Sequence, residues 1–239
     1  RDTDRSRGLG DVYKRQNLCR LVREGKIPES LVDECCMRIL ELKNKLGLFE
    51  NPYKDADEEK EQQLILCKEH RELAREAARK SFVLLKNEEQ ILPLDKTKKT
   101  AFIGPYVNSR NLMGSWSIIG EAKDITTVEE IMAVEEAGNN VVCCQGSPML
   151  GAEVILEGFT EENQATYTPE EEAKMLEEAL EEAKKADQVV LFIGEDRLQS
   201  GEATSNATIQ IPQIQQNLLE RVAEINENIA VVLLSLIHI

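Results

Sequence analysis

The chain of 239 residues carries 44 Asp and Glu against 29 Lys and Arg, which gives a formal net charge of −15 at pH 7. Such a field repels phosphate, and no cluster of Lys and Arg with interleaved aromatic residues reverses it locally, so nucleic acid is not an expected partner. No run of 18 apolar residues occurs, so the sequence predicts no membrane-spanning helix.

The two ends of the chain are interpreted as translated sequencing adapter. Residues 11–16 (DVYKRQ) can be encoded by a DNA segment whose reverse complement encodes residues 234–239 (LSLIHI). That segment is similar to a transposon adapter used in preparing sequencing libraries. We therefore expect residues 1–16 and 234–239 to be adapter translation, and segments of this kind do not belong in fold reasoning.

Cysteine and histidine usage narrows the chemistry. The cysteines are Cys19, the adjacent pair Cys35 and Cys36, Cys67, and the adjacent pair Cys143 and Cys144. Adjacent cysteines rarely bridge each other and no CxxC spacing suggests zinc, so we expect small reduced thiols and a cytoplasmic protein. His70 is the only histidine outside the expected adapter, which works against a Ser/His/Asp, Cys/His or multi-histidine metal site.

Two helices are predicted in the first third of the chain. The segment Leu31–Leu46 repeats apolar residues at helical spacing and is followed by Gly47, so it predicts an amphipathic, core-packing helix. Lys54–Gln63 is charged and solvated. A second helix is predicted from about Gln63 to Leu85, ended by Pro93, and it is interpreted as a connector between domains.

Short apolar runs then alternate with helical patterns. The predicted strands are Thr100–Ile103, Val141–Cys144, Gln188–Ile193 and Ile229–Leu233, and the predicted helices begin at the capping box of Thr168, Pro169 and Glu171 and at Gln213. The alternation predicts the α/β class, with a mostly parallel sheet flanked by helices. Ligands of such sheets bind at the carboxyl ends of the strands, so the loops after Ile103 and Ile193 are the expected site.

Four segments of the chain follow one another in the order of a known architecture. They are Arg23–Tyr53 (REGKIPESLVDECCMRILELKNKLGLFENPY), Ser81–Leu94 (SFVLLKNEEQILPL), Gly104–Ser117 (GPYVNSRNLMGSWS) and Gly194–Pro212 (GEDRLQSGEATSNATIQIP). They resemble the barrel exit, interdomain hinge and sandwich loops of glycoside hydrolase family 3. The resemblance implies the end of a β/α barrel in residues 17–53, a connector in 54–82 and an incomplete C-terminal α/β sandwich domain in 83–233.

The resemblance also implies a general acid/base. Glu202 matches the family's glutamate between the G-E pair and the T-I-x-I-P-like end of the last loop. Retaining glycosidases need two carboxyl groups about 5 to 5.5 Å apart, one attacking the anomeric carbon and one protonating the leaving oxygen. Small neighbours such as Gly201 and Ala203 permit the approach of Glu202 to a sugar. Glu195 is the first alternative, although a hydrogen-bonding role at the base of the loop is preferred for it.

Trp116 is the expected substrate-binding residue. It is the only tryptophan of the chain and lies in the G-S-W-S part of the third segment. An indole can stack on the apolar face of a sugar ring, and the alternative is an aromatic residue that packs between domains. Some members of the family carry a further tryptophan where this chain has Gly120.

The implied activity is that of a retaining exo-β-glycosidase acting on terminal β-D-glucosides or β-xylosides, supplied as small oligosaccharides or aryl or alkyl β-glycosides. No metal or organic cofactor is implied. The family's attacking aspartate is not in this chain, so the chain alone is expected to be inactive. Two alternatives stay open: a non-catalytic carbohydrate- or partner-binding module, and a nucleotide-binding module. The second would require a glycine-rich phosphate loop, and neither GxGxxG nor GxxxxGK occurs.

Overall fold

The computed structural model of the chain describes residues 16–54, 56–113, 120–134, 140–151, 167–197, 199 and 208–234. The chain divides into two compact units, Arg1–Val83 and Leu84–Ile239. Among the described residues, no helix combines the length and the apolar character that crossing a bilayer requires.

The first unit is helical. Its helices are α1 (16–23), α2 (Glu29–Lys45), α3 (Glu58–Leu64) and α4 (Lys68–Ser81). Helix α2 ends just before Gly47, whose φ of +67° places it in the left-handed region that glycine adopts without steric cost. The Asp57 side chain accepts a hydrogen bond from the Lys60 backbone amide at 3.0 Å and so caps α3.

The apolar face predicted for α2 is present, but it is not part of a core in the described unit. No residue of α2 is buried. Leu31, Ile39 and Leu42 are each more than half exposed. With Leu18 and Ile27, this face forms an open apolar groove. The core-packing role predicted for this helix is therefore not seen in the described residues.

The helix predicted from about Gln63 to Leu85 begins at Lys68 instead, and a separate helix, α3, occupies most of the charged segment before it. Ile65 is extended, with a ψ of 125°, and Leu66 has a φ of +55°, so the helical path stops between α3 and α4. Helix α4 also ends four residues earlier than predicted, at Ser81, whose hydroxyl donates to the Ala78 carbonyl at 2.8 Å. A side chain that bonds a nearby carbonyl competes with helix continuation, and apolar spacing alone does not reveal it.

The second unit is built on one parallel sheet, which confirms the predicted α/β class. The strands are β1 (Thr100–Ile103), β2 (Val141–Cys144), β3 (Gln188–Gly194) and β4 (Ile229–Leu234), in the spatial order β2-β1-β3-β4. The helices between them are a 3₁₀ turn (Ala122–Asp124), α5 (Val128–Val134), α6 (Pro169–Lys185) and α7 (Gln213–Ala223). The predicted capping box begins α6, with the Thr168 side chain bonded to the Glu171 backbone amide and the reverse bond also made.

Both faces of the sheet are covered, as continuous apolar strands require. On one face, Ile103 and Leu191 pack with Ala183 of α6 and Leu218 of α7. On the other face, Phe102 and Val190 pack with Val128 and Met132 of α5. Helix α5 was not predicted from the sequence, although Thr127 and Glu130 form a capping box at its start.

The strand order reverses between β1 and β3. The chain leaves β1 toward β2 on one side, then crosses back to place β3 on the other side of β1. The connections that follow β1 and β3 therefore diverge, and the crevice they leave at the carboxyl edge is where open α/β sheets bind ligands.

Gly104 permits the close approach of the two strands at this point. Its φ is +131°, and a Cβ there would lie 2.2 Å from the Phe192 carbonyl oxygen. We expect Gly104→Ala to lower the free energy of unfolding of this unit by about 3 kcal/mol or more, because the contact is with backbone that cannot yield. Urea titration followed by circular dichroism measures it.

Gly146→Ala is the matched comparison for Gly104→Ala. Gly146 also has a positive φ, but its added Cβ would meet the Ile103 Cγ2 at 2.9 Å and the Leu218 methyl groups at 3.1 Å. These atoms belong to side chains that can shift, so the expected loss is smaller, about 1 to 2 kcal/mol. Equal losses for the two variants would contradict the backbone clash at Gly104.

The adjacent thiols of β2 lie on opposite faces of the sheet, as alternation along a strand requires. Cys144 packs against the α6 and α7 face and Cys143 against the α5 face. Burial raises the pKa of Cys143 to about 11, with help from the Glu129 charge. Burial, followed by the Glu182 charge, raises the pKa of Cys144 to about 12.

These pKa values predict slow alkylation of the folded unit. Iodoacetamide attacks through the thiolate, and a raised pKa leaves less thiolate at pH 8. A rise from 9.0 to about 11 removes roughly 99 per cent of it, so Cys143 should react about 100-fold faster in urea than when folded. Cys144 should be slower still in the folded chain. Peptide mass spectrometry resolves the two, and equal folded rates would contradict the assignment.

Candidate active site

The carboxyl edge of the sheet brings together the segments that follow β1 and β3, as the sequence predicted. Glu195 and Asp196 come directly after β3 and are 6% and 7% exposed. The Glu195 backbone amide donates at 3.0 Å to the carbonyl of Leu234, which ends β4 and is also the first residue of the expected adapter, so the chain stays attached to the sheet one residue beyond the strand. Two buried carboxylates therefore stand at the start of the last loop.

Tyr106 joins the two segments from the β1 side. Its ring is 4% exposed, and its hydroxyl donates a hydrogen bond to the Glu195 carbonyl oxygen. Burial raises the pKa of Tyr106, and the negative charges of Asp196 and Glu195 raise it further. The hydroxyl thus keeps its proton throughout the physiological range and remains a donor.

Asn111 makes the second connection. Its side-chain amide donates to the Asp196 carboxylate, with 3.0 Å between Nδ2 and Oδ2. Within the last loop, the Gln199 side chain accepts from the Asp196 backbone amide at 3.0 Å, and the Gln199 backbone amide donates to the Asp196 carbonyl at 2.9 Å. Asp196 is therefore bonded both to its own turn and to the segment after β1.

Arg110 anchors the segment after β1 at its other end. Its guanidinium donates to the Ile125 carbonyl and to the Glu130 carboxylate. The Thr127 backbone amide, followed by the Arg110 charge among other contributions, holds the pKa of Glu130 below its ordinary value. The chain between Arg110 and Ile125, which includes the position of Trp116, is thus tied at both of its ends.

Gln215 of α7 is a third polar group that reaches this edge. It is fully buried, and its amide bonds both the Gly194 backbone and the Met149 carbonyl in the loop after β2. None of Tyr106, Asn111 and Gln215 was predicted from the sequence as a site residue. For Gln215 a signal existed, because it stands in helical register with the buried Leu218 and Val222 of α7.

The two residues on which the sequence analysis placed most weight, Glu202 and Trp116, lie outside the described residues. Glu202 belongs to the loop that follows β3, and Trp116 belongs to the segment that follows β1. Glu195, the first alternative for the acid/base, is described, and it is buried at the end of β3. The catalytic and substrate-binding assignments stay predictions. In the part of the chain that the structure describes, no three His, Cys, Asp or Glu side chains gather as metal ligands would.

A protein-family model and curated relatives point to the same family. Residues 82–237 match the model of the glycosyl hydrolase family 3 C-terminal domain. A periplasmic β-glucosidase of Salmonella typhimurium is 31% identical over 95% of this chain, and a putative β-xylosidase of Formosa agariphila is 30% identical over 93% of it. The chain spans 30% and 27% of those two proteins, so it corresponds to less than a third of either.

A solved structure agrees with both relatives. The crystal structure of a β-glucosidase from Listeria innocua in complex with glucose superposes with a TM-score of 0.71 and 33% sequence identity. The superposition covers 91% of this chain and 27% of that protein.

The expectation of a cytoplasmic protein is wrong. It is overturned by the Salmonella relative, which matches nearly the whole chain and is described as periplasmic. For Cys143 and Cys144 the inference from free thiols does not hold, because they lie on opposite faces of one strand and burial raises the pKa of each. Such thiols can stay reduced for local reasons, so they do not report the redox state of a compartment.

The bond between Asn111 and Asp196 should be worth more than an exposed ion pair. A double-mutant cycle with Asn111→Ala and Asp196→Ala should give a coupling energy of about 1.5 to 3 kcal/mol, since the acceptor is a largely buried carboxylate. Urea unfolding of the four proteins measures it. The control cycle uses Lys174 and Glu178, an exposed pair on α6, with an expected coupling of about 0.3 to 0.5 kcal/mol. Equal couplings would contradict a structural link between the two loops.

Proposed function

The chain belongs to glycosyl hydrolase family 3, and from that premise we propose that the intact protein is a retaining exo-β-glycosidase to which this chain contributes the general acid/base. One observation carries the proposal: Tyr106 and Asn111 join the segments after β1 and β3 at the carboxyl edge of the sheet, where the strand order reverses. The substrates are terminal β-D-glucosides or β-xylosides. This choice rests on relatives described as β-glucosidase and β-xylosidase.

Glu202 is the proposed proton donor. It lies seven positions after Glu195 in the loop that begins at the buried end of β3. As a neutral acid it protonates the glycosidic oxygen while the nucleophile attacks, and as a carboxylate it then takes a proton from the water that hydrolyses the glycosyl-enzyme. A loop position suits this role because closure over a sugar removes water, and burial raises the pKa of a carboxyl group toward neutrality.

The attacking aspartate is proposed to lie in a part of the protein outside this chain. In the proposed division, residues 17–53 are the end of the barrel domain that carries the aspartate. Residues 54–82 connect the two domains, and residues 83–233 form the sandwich domain. Without that aspartate and the barrel groups that hold the sugar, the present chain does not hydrolyse glycosides by itself. No metal or organic cofactor enters the proposed mechanism.

Trp116 is proposed to line the sugar site. Arg110 precedes Trp116 in the chain, and its guanidinium bonds Ile125 and Glu130, which follow Trp116. These bonds hold the two ends of the segment together. An indole presented there offers a flat apolar face to the ring carbons of a glucoside. Glucose bound in the Listeria innocua β-glucosidase supports a small sugar as the ligand of this site.

Leaving-group dependence in the full-length protein tests the role of Glu202. Glu202→Ala should slow the hydrolysis of alkyl β-glucosides by about 10² to 10⁴-fold, because a poor leaving group needs the proton. Dinitrophenyl β-glucoside should be slowed far less at the bond-breaking step, since its phenolate leaves unprotonated. With dinitrophenyl β-glucoside, azide should restore part of the turnover rate, because it replaces the water that Glu202 no longer activates in the hydrolysis of the glycosyl-enzyme.

The control is Glu227→Ala, which removes an exposed carboxylate between α7 and β4. It should leave both substrates unaffected. Unchanged hydrolysis of alkyl glucosides by Glu202→Ala would remove Glu202 from the mechanism. The same leaving-group pattern found instead in Glu195→Ala would move the proton donor to Glu195.

A further inference from the structure

Gln215 is a polar side chain in an apolar position. It lies on the buried side of α7 in register with Leu218 and Val222, and all three are 0% exposed. A buried amide is costly unless its donor and acceptor are both used. Here both are used: Oε1 accepts from the Gly194 backbone amide at 2.8 Å, and Nε2 donates to the Met149 carbonyl at 2.6 Å.

The bond to Gly194 replaces one that the sheet cannot make. The backbone amides of Val189 and Glu195 donate to residues 228 and 234, on the β4 side. Because successive amides of a strand point to opposite sides, the Gly194 amide points to the β1 side. The paired residues of β1 end at Ile103, opposite Leu191, so no strand residue is left to accept from Gly194. Gln215 supplies the missing acceptor.

The same side chain closes the loop that contains Glu202. That loop starts at Gly194 and ends at Pro212, and Gln215 follows three residues later, with its own backbone amide bonded to the Pro212 carbonyl at 2.9 Å. One glutamine therefore holds the first residue of the loop against the helix that follows its last residue. The bond to Met149 adds the loop after β2 to the same junction.

We propose that Gln215 is a positioning residue for glycoside cleavage, which clasps the two ends of the loop from Gly194 to Pro212 and thereby sets the reach of the proton donor carried between them. The proposal rests on the proposed function of Glu202. It adds that the geometry of proton transfer depends on a buried amide that does not itself meet the sugar. A displacement of about 1 Å in a reacting group can lower a rate about 10²-fold.

The first test is Gln215→Met in the full-length protein, because methionine keeps the length of the side chain and has neither the amide donor nor the amide acceptor. For alkyl β-glucosides, kcat should fall about 10- to 100-fold with little change in KM. For dinitrophenyl β-glucoside, kcat/KM, which reports the step that breaks the glycosidic bond, should change less than about threefold. Damage to the fold alone would slow both substrates equally. Gln216→Met is the matched control, since Gln216 is bonded to Glu220 on the exposed side of α7.

The second test is Gln215→Glu, which separates positioning from stability. A glutamate keeps an oxygen to accept from the Gly194 amide, but when ionised it cannot donate to the Met149 carbonyl. It also buries a charge, so it should be the less stable of the two variants. A positioning role predicts the opposite order in catalysis, with Gln215→Glu closer to the parent protein for alkyl glucosides. If the methionine variant does not fold, the leaving-group pattern of Gln215→Glu carries the test.

Hydrogen–deuterium exchange gives a readout that needs no activity. Peptides containing Gly194 should exchange faster in Gln215→Met than in the parent protein or in Gln216→Met, and Gln215→Glu should restore most of the protection. If exchange responds in this way but Glu202→Ala leaves hydrolysis unchanged, the proposed function fails while the clasp stands. If Glu202→Ala behaves as expected but Gln215→Met keeps the parent leaving-group pattern, the positioning role of Gln215 is overturned.

Discussion

The pairing of β3 with β1 on one side and β4 on the other is the constraint from which the candidate active site follows. The three strands are parallel, but they do not end at the same level: pairing with β1 stops at Leu191, whereas pairing with β4 continues to Gly194. The last residues of β3 therefore have one edge bonded to β4 and one edge that extends beyond the end of β1. On that free edge the Gln215 amide bonds Gly194, and the Tyr106 hydroxyl bonds the Glu195 carbonyl one residue beyond β3.

Most of the hydrogen bonds described for the polar groups near the end of β3 join neutral donors to neutral acceptors. The Tyr106 hydroxyl donates to the backbone carbonyl of Glu195 rather than to its carboxylate. The Gln215 amide likewise bonds only main-chain groups among its described contacts. Asn111 is the neutral group that meets a charged one, at Asp196. The path of the chain is thus set mainly by neutral donors and acceptors, which lose little when the charge state of a nearby carboxyl changes.

The sequence predicted the four strands almost to the residue because each is a short apolar run bounded by turn or capping residues. It was less informative where a single side chain decides the outcome. The left-handed Leu66 splits the connector, and nothing in the apolar spacing marks it. The helix after Thr127 was not predicted, although its capping box of Thr127 and Glu130 can be read from the sequence. The resemblance pointed to two loops, but the bonds that join their bases, made by Tyr106 and Asn111, link residues about 90 positions apart, and no local pattern encodes them.

A proton donor on a loop must satisfy two opposed requirements, and the base of this loop addresses one of them. The donor has to move aside for sugar to enter, yet it has to return to within hydrogen-bond reach of one oxygen. Fixing both ends of this 19-residue span removes conformations that its middle could otherwise adopt, at an entropic cost of closure that grows only slowly with loop length. The accuracy of that return would come from the buried bond between Gly194 and Gln215.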